Sequence, residues 1–114
     1  MPSRARTFAD KANLAINAQT GTTYTLVLSD ADEIVTLNNG SAITLTVPTN
    51  ASVAYEVGTV INLIQLGAGQ VTVAGASGVT VNSERGLKIK GQYGVAACIK
   101  VATDTWVLAG NTAT

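Results

Sequence analysis

The stretch AITLTV, Ala42–Val47, decides how the rest of the chain is read. Side chains of a β-strand alternate between two faces, so Ile43, Leu45 and Val47 fall on one face and Thr44 and Thr46 on the other. Before it stand Asn38-Asn39-Gly40-Ser41, a hairpin signal, because Asn-Gly tolerates the positive φ angles of a tight primed turn. After it stands Pro48, which lacks a backbone donor and ends the pairing.

Working outward, the same alternation of apolar residues with Thr, Asn, Gln or Ser runs from Gly21 to Gly110, broken by Gly and Asn about every eight to twelve residues. It predicts strands at Thr23–Leu28, Glu33–Leu37, Val53–Tyr55, Thr59–Leu66, Gln70–Ala74, Val79–Asn82, Leu87–Lys90, Val95–Val101 and Thr105–Ala109. Tyr24, Leu26 and Leu28 share one face of the first. In Thr59–Leu66 (TVINLIQL), Asn62 and Gln65 lie three apart, so strict alternation breaks between Leu63 and Ile64. A bulge, or a strand covered on both faces by a second subunit, would account for this. The expected fold is all-β, a jelly-roll-like barrel or sandwich of about nine short strands. The spacing fits no solenoid or propeller period.

Residues 1–20 differ from residues 21–111, which form the β-domain. They are Ala-rich, with Phe8, Ala12 and Ala15 at i, i+4 and i+7, which allows either a short helix beginning near Thr7 or an extended arm.

The bulk composition bounds function. Charged residues make up 12% of the 114 residues, against about 25% in an ordinary domain, and the formal net charge is +0. Such a surface suits a chain covered by copies of itself or by a larger body. No basic excess points to nucleic acid, and no apolar run reaches the ~20 residues of a membrane span. Arg4, Arg6 and Lys11 against Asp10 make the beginning of the chain basic, whereas the remainder is acidic, which suits docking of the arm onto an acidic protein surface.

Few residues can carry chemistry. The sequence has no His, so no His-based triad exists. Its single cysteine, Cys98 in VAACIKV, reads as a small buried hydrophobe, and the fold does not rest on disulfides. Asp30, Asp32 and Glu33 are the one carboxylate cluster; a Ca²⁺ loop is one reading and a polar turn capping backbone amides is the plainer one. Gly67-Ala68-Gly69 lacks the Lys-Ser/Thr of a phosphate loop and reads as a turn. Trp106 shares its face with Leu108, which places it in a core or an interface. Lys88, Lys90, Gln92 and Tyr93 form a polar strand end that either touches a neighbour or guards a solvated edge.

Three runs carry a resemblance: PTNASVAYEVGT from Pro48 to Thr59, LGAGQVTV from Leu66 to Val73, and Gly91-Gln92-Tyr93 ahead of an apolar strand. From Gly21 to Asn111 the chain resembles a β-domain of tailed-bacteriophage virion proteins, found in head fibres, tail fibres and capsid decoration proteins. The resemblance implies a homotrimer with no catalytic residues and no cofactor, made in the bacterial host cytoplasm and residing on the virion. With Met1 as its start and almost nothing outside the domain, a decoration (cement) protein is expected, binding the major capsid protein. Arg4, Arg6, Phe8 and Lys11 are the expected capsid-docking residues, and Ile61, Leu63, Ile64 and Leu66 the expected subunit interface. The alternative is a fibre tip that binds host-surface glycan through the loops at residues 30–33, 38–41 and 83–86. A glycan depolymerase is the weaker rival, because the paired carboxylates it would need are absent outside the one loop at residues 30–33.

Overall fold

A computed structural model describes residues 13–114. In chain order the strands are β1 (Ile16–Gln19), β2 (Thr23–Thr25), β3 (Ile34–Leu37), β4 (Ile43–Val47), β5 (Val60–Gln65) and β6 (Val71–Gly75). They continue with β7 (Thr80–Asn82), β8 (Lys88–Ile89), β9 (Val95–Ala102), β10 (Thr105–Gly110) and β11 (Thr112–Ala113). One 3-10 turn, Leu28–Asp30, leads from β2 towards β3.

The strands form two mixed sheets. Sheet A is ordered β1-β3-β5-β9-β10-β7 and sheet B β11-β8-β6-β4-β2. Successive strands of the first half alternate between the sheets: β1, β3 and β5 stack in parallel in A, and β2, β4 and β6 stack in parallel in B. The chain therefore winds as a β-solenoid of about 3 turns, not as a jelly-roll barrel. In the second half, β9 pairs antiparallel with β5 and β10 with β9, while β8 extends sheet B antiparallel to β6 and β11 pairs antiparallel with β8.

The solenoid has no fixed period. Ile16 lies beside Ile34, a step of 18 residues, and Ile34 beside Asn62, a step of 28. Solenoid repeats show in a sequence only when coils are of equal length; here the loops between strands differ from coil to coil, and the repeat is lost.

Alternation places the core. Ile43, Leu45 and Val47 of β4 point inward and are buried, as their spacing predicts. They meet Val35, Leu37, Ile61, Leu63, Val71, Val73, Ala96, Cys98, Trp106 and Leu108. Trp106 is the largest core side chain, and Tyr55 stands edge-on to it with ring centroids 5.4 Å apart. This T-shaped pair contributes about 0.5–1.5 kcal/mol beyond its buried area.

Several expectations are corrected. β5 carries no bulge: its pairing with β3 and β9 is continuous, and Ile61, Leu63 and Gln65 all face inward. Gln65 is buried because its amide is satisfied there. Nε2 donates to Gly67 O at 3.2 Å, and Oε1 accepts from Val71 N at 3.0 Å. The one register shift in sheet A lies instead between Thr105 and Trp106.

Asn38–Ser41 is not a hairpin, since it joins β3 in sheet A to β4 in sheet B, and neither Asn39 nor Gly40 has a positive φ. It is a coil corner. The Asn39 side chain donates to Thr20 O at 2.7 Å and accepts from Ser41 N at 2.8 Å, while Gly69 N donates to Asn39 O at 2.8 Å. Three successive corners are thus stacked through one asparagine. The two-residue connection Thr103–Asp104 makes the hairpin between β9 and β10, with Asp104 at φ 53°.

Ile16–Gln19 is a strand, where the residue pattern allowed a helix. The expected strand at 53–55 is loop, and Leu28, expected to point inward, lies in the 3-10 turn and is exposed.

Candidate functional site

The carboxylate cluster serves the fold. Asp30 is buried and accepts three hydrogen bonds: from Tyr24 OH at 2.6 Å, Asn17 Nδ2 at 2.9 Å and Val27 N at 3.0 Å. A buried carboxylate is tolerable only when its oxygens are satisfied in this way. Burial, and then the hydrogen bond and charge of Asp30, push the Tyr24 phenol up to about 12. Asp32 Oδ1 accepts from Val60 N at 3.2 Å, and Glu33 Oε1 from Ala15 N at 3.2 Å. The three acids thus address three different segments, and no group of metal-ligating side chains occurs among the described residues.

Lys100 and Cys98 share the inner face of β9, and both are buried. The Lys100 ammonium donates to Asn50 Oδ1 and Tyr55 O, each at 2.7 Å, and so pins the 50–55 loop over the end of the core. Burial alone pushes the Cys98 thiol up to about 12, which makes it a poor nucleophile.

The two outer faces of the sandwich differ. On sheet B, Thr23, Thr44 and Thr72 lie in register with Lys88, and Thr25 lies beside Thr46. That face is hydroxyl-rich and suited to water. On sheet A, the outward positions of β5, β9 and β10 bring Ile64 beside Val95 and Ile99 between Val60 and Val107. Val95 is 46% exposed and Val101 48%. None of the outward positions on the six strands of sheet A carries a charged side chain among the described residues. Asn62, Thr36 and Asn82 interrupt this face, which is otherwise aliphatic; an uncharged, largely aliphatic sheet face is the kind of surface that marks an interaction site.

At one end of the sandwich, the Gly91–Gly94 turn presents Tyr93, 71% exposed. Its φ is 68°, a left-handed conformation that costs a bulky non-glycine residue about 1 kcal/mol or more. The turn is held by Tyr93 N donating to Gln65 O at 2.6 Å, Gly94 N to Gly91 O at 3.0 Å, and Gln92 Nε2 to Leu66 O at 3.1 Å. Beside it lies a cleft of about 320 Å³ lined by residues 90–94 and Asn111. Asn111 also lines a second cleft, of about 440 Å³, with Ser83, Glu84 and Arg85 on its wall. Glu84 and Arg85 form an exposed ion pair at 3.9 Å.

The expected docking residues Arg4, Arg6, Phe8 and Lys11 lie outside the described residues. Of the expected interface set, Ile61 and Leu63 are wholly buried within the chain's own core and have no surface to offer a partner. They point inward because β5 alternates without interruption. Ile64 lies on the outer face of sheet A and Leu66 just beyond the end of β5, both half-buried. Trp106 is in the core. The outward aliphatics of β9 were absent from the expected interface because Val95–Val101 reads as one near-continuous apolar run, with no polar residue to distinguish its faces before Lys100. No protein-family model, curated protein or solved structure matches this chain.

Proposed function

We propose that the protein is a structural component of a tailed-bacteriophage virion, a capsid decoration protein that assembles as a homotrimer through the outer face of sheet A. The observation that carries this reading is the contrast between the two sheets: threonine-rich on one outer face, aliphatic and uncharged on the other. Closed three-fold assembly covers the aliphatic face and leaves the hydroxyl face to solvent. The occupant of the aliphatic face is a further copy of the same chain, because a surface without charge gives no handle for a charged partner. Capsid contact falls to Arg4, Arg6, Phe8 and Lys11, where three copies multiply weak contacts by avidity. The resemblance of residues 21–111 to virion β-domains supports the same reading.

The test is co-sedimentation of the purified chain with phage heads that lack it, alongside gold labelling of intact virions. Saturable binding to heads that is lost on deleting residues 1–11, with gold spread over the head, supports decoration. Gold confined to tail ends would make the protein a fibre tip instead, and binding unchanged by the deletion would remove the docking role of the arm.

A further inference from the structure

We infer that Lys100 and Asn50 form an intramolecular isopeptide bond, with loss of ammonia, that ties the loop between β4 and β5 to β9. The inference does not rest on the capsid reading, since both side chains belong to one chain and neither lies on an outer sheet face.

The reacting groups are already in contact. Lys100 is 3% exposed, and its Nζ donates to Asn50 Oδ1 and to Tyr55 O, each at 2.7 Å. Both acceptors are neutral, so neither offers the negative charge that usually accompanies a buried ammonium. The amide carbon lies about 1.2 Å behind its oxygen, which puts Nζ within about 4 Å of Asn50 Cγ. An amine and an amide held at this distance react as if at very high concentration.

Both ends are fixed. Lys100 N donates to Thr59 O at 3.0 Å, and Lys100 O accepts from Gly58 N at 2.8 Å. Trp106, opposite Lys100 in the β9–β10 ladder and buried, keeps that side of the lysine apolar. Asn50 N donates to Asp104 Oδ1 at 2.7 Å. Asp104 therefore positions Asn50 and places a carboxylate beside the reacting pair.

The step needs no further reactant. Nζ gives a proton to Asp104 and attacks Asn50 Cγ as the neutral amine. The Nζ–Cγ bond forms and the Cγ–Nδ2 bond breaks. Two protons leave Nζ in all, and both end on the departing nitrogen, which leaves as ammonium. Asp104 relays them and is unchanged at the end. The buried positive charge departs with the ammonium, and the new amide N–H still has Tyr55 O as its acceptor.

The test is the intact mass of the purified full chain, followed by a tryptic map. The expected mass is about 17 Da, one ammonia, below that of the sequence. The map should contain a branched peptide in which residues 12–85 are joined to residues 91–114, uncut after Lys100. Lys100→Met and Asn50→Ala should each show the full mass of their own sequence. Asp104→Asn keeps an acceptor for Asn50 N but cannot relay protons, and should leave most of the chain at full mass. The branched peptide decides the matter even where a variant fails to fold. Full mass in the parent chain would overturn the proposal. So would the same loss persisting in Lys100→Met, which would mark a succinimide at Asn39-Gly40 instead. Complete loss of ammonia in Asp104→Asn would remove Asp104 from the step.

Discussion

The side-chain amide of Gln65 is bonded to the backbone N–H of Val71, 3.0 Å away, across the corner that carries the chain from sheet A to sheet B. The same amide donates to Gly67 O at 3.2 Å, so one buried polar group closes the corner from within. Replacing it by Leu keeps the volume and strands both backbone groups. An unsatisfied buried group costs about 1–3 kcal/mol. Gln65→Leu should therefore lose about 2–4 kcal/mol in urea unfolding, although it makes the sequence look more regular. A stabilised variant would mean that the corner is not held in this way.

Gln65 also shows where sequence reading stops. Alternation is a local property, so most strand positions and the inward sets of β4 and β10 are legible from neighbouring residues alone. The buried Gln65 mimicked a break in the pattern because its partners lie on a corner that alternation does not describe. Which sheet a strand joins was not legible either, since parallel partners sit 18 to 28 residues apart and coil lengths vary. Ile16–Gln19 becomes a strand by pairing with Ile34–Leu37, a tertiary effect that its own residues do not announce. Tyr93 reads in the sequence as part of a polar strand end that either touches a neighbour or guards a solvated edge; its left-handed backbone exists only in three dimensions.

The stacked corners separate two glycines. A Cβ on Gly69 would lie 1.8 Å from Ser41 O, whereas one on Gly40 would meet nothing within 4 Å. Gly69→Ala should cost about 3 kcal/mol or more, because backbone must move. Gly40→Ala should stay within about 0.5 kcal/mol. A hairpin turn at Asn39-Gly40 predicts the opposite order, so thermal melts of the two variants distinguish a corner from a hairpin.

Base should unfold the protein through its buried acids. Tyr24 is raised from 10.0 to about 12 and Cys98 from 9.0 to about 12, both first by burial. Groups raised in this way bind protons more tightly in the folded state. Their contribution is complete below the unfolded values and is lost as pH rises from about 9 to about 12. Stability measured in urea should be flat from pH 7 to 9 and then fall. Tyr24→Phe should lower stability at neutral pH by about 1–3 kcal/mol, since Asp30 loses a donor, and should make the alkaline fall shallower. An unchanged alkaline slope in that variant would remove Tyr24 from the account.

Cys98 provides a clock for opening. Its side chain is fully buried and its thiol is held protonated at neutral pH, so alkylation requires at least local unfolding. Native protein should react with iodoacetamide orders of magnitude more slowly than urea-unfolded protein at the same pH, and Gly69→Ala should accelerate it. Rapid labelling of the native chain would place Cys98 at the surface.

The outer faces of the sheets give the sharpest test of assembly. Ile99 sits between Val60 and Val107 on sheet A, and Thr44 between Thr23 and Thr72 on sheet B. Both are outward positions near the middle of a sheet, so a lysine at either disturbs the monomer equally little. In a trimer packed through sheet A, Ile99→Lys buries three unpaired ammonium groups, and each unpaired buried charge costs about 3–5 kcal/mol. Thr44→Lys places its charge in water. Light scattering should give a mass near three times 11.6 kDa for the parent chain and for Thr44→Lys, and 11.6 kDa for Ile99→Lys with an unchanged circular-dichroism spectrum. Dissociation by Thr44→Lys rather than Ile99→Lys would move the interface to the threonine face. A monomeric parent chain would leave the aliphatic face of sheet A without its partner copies and would overturn the trimer.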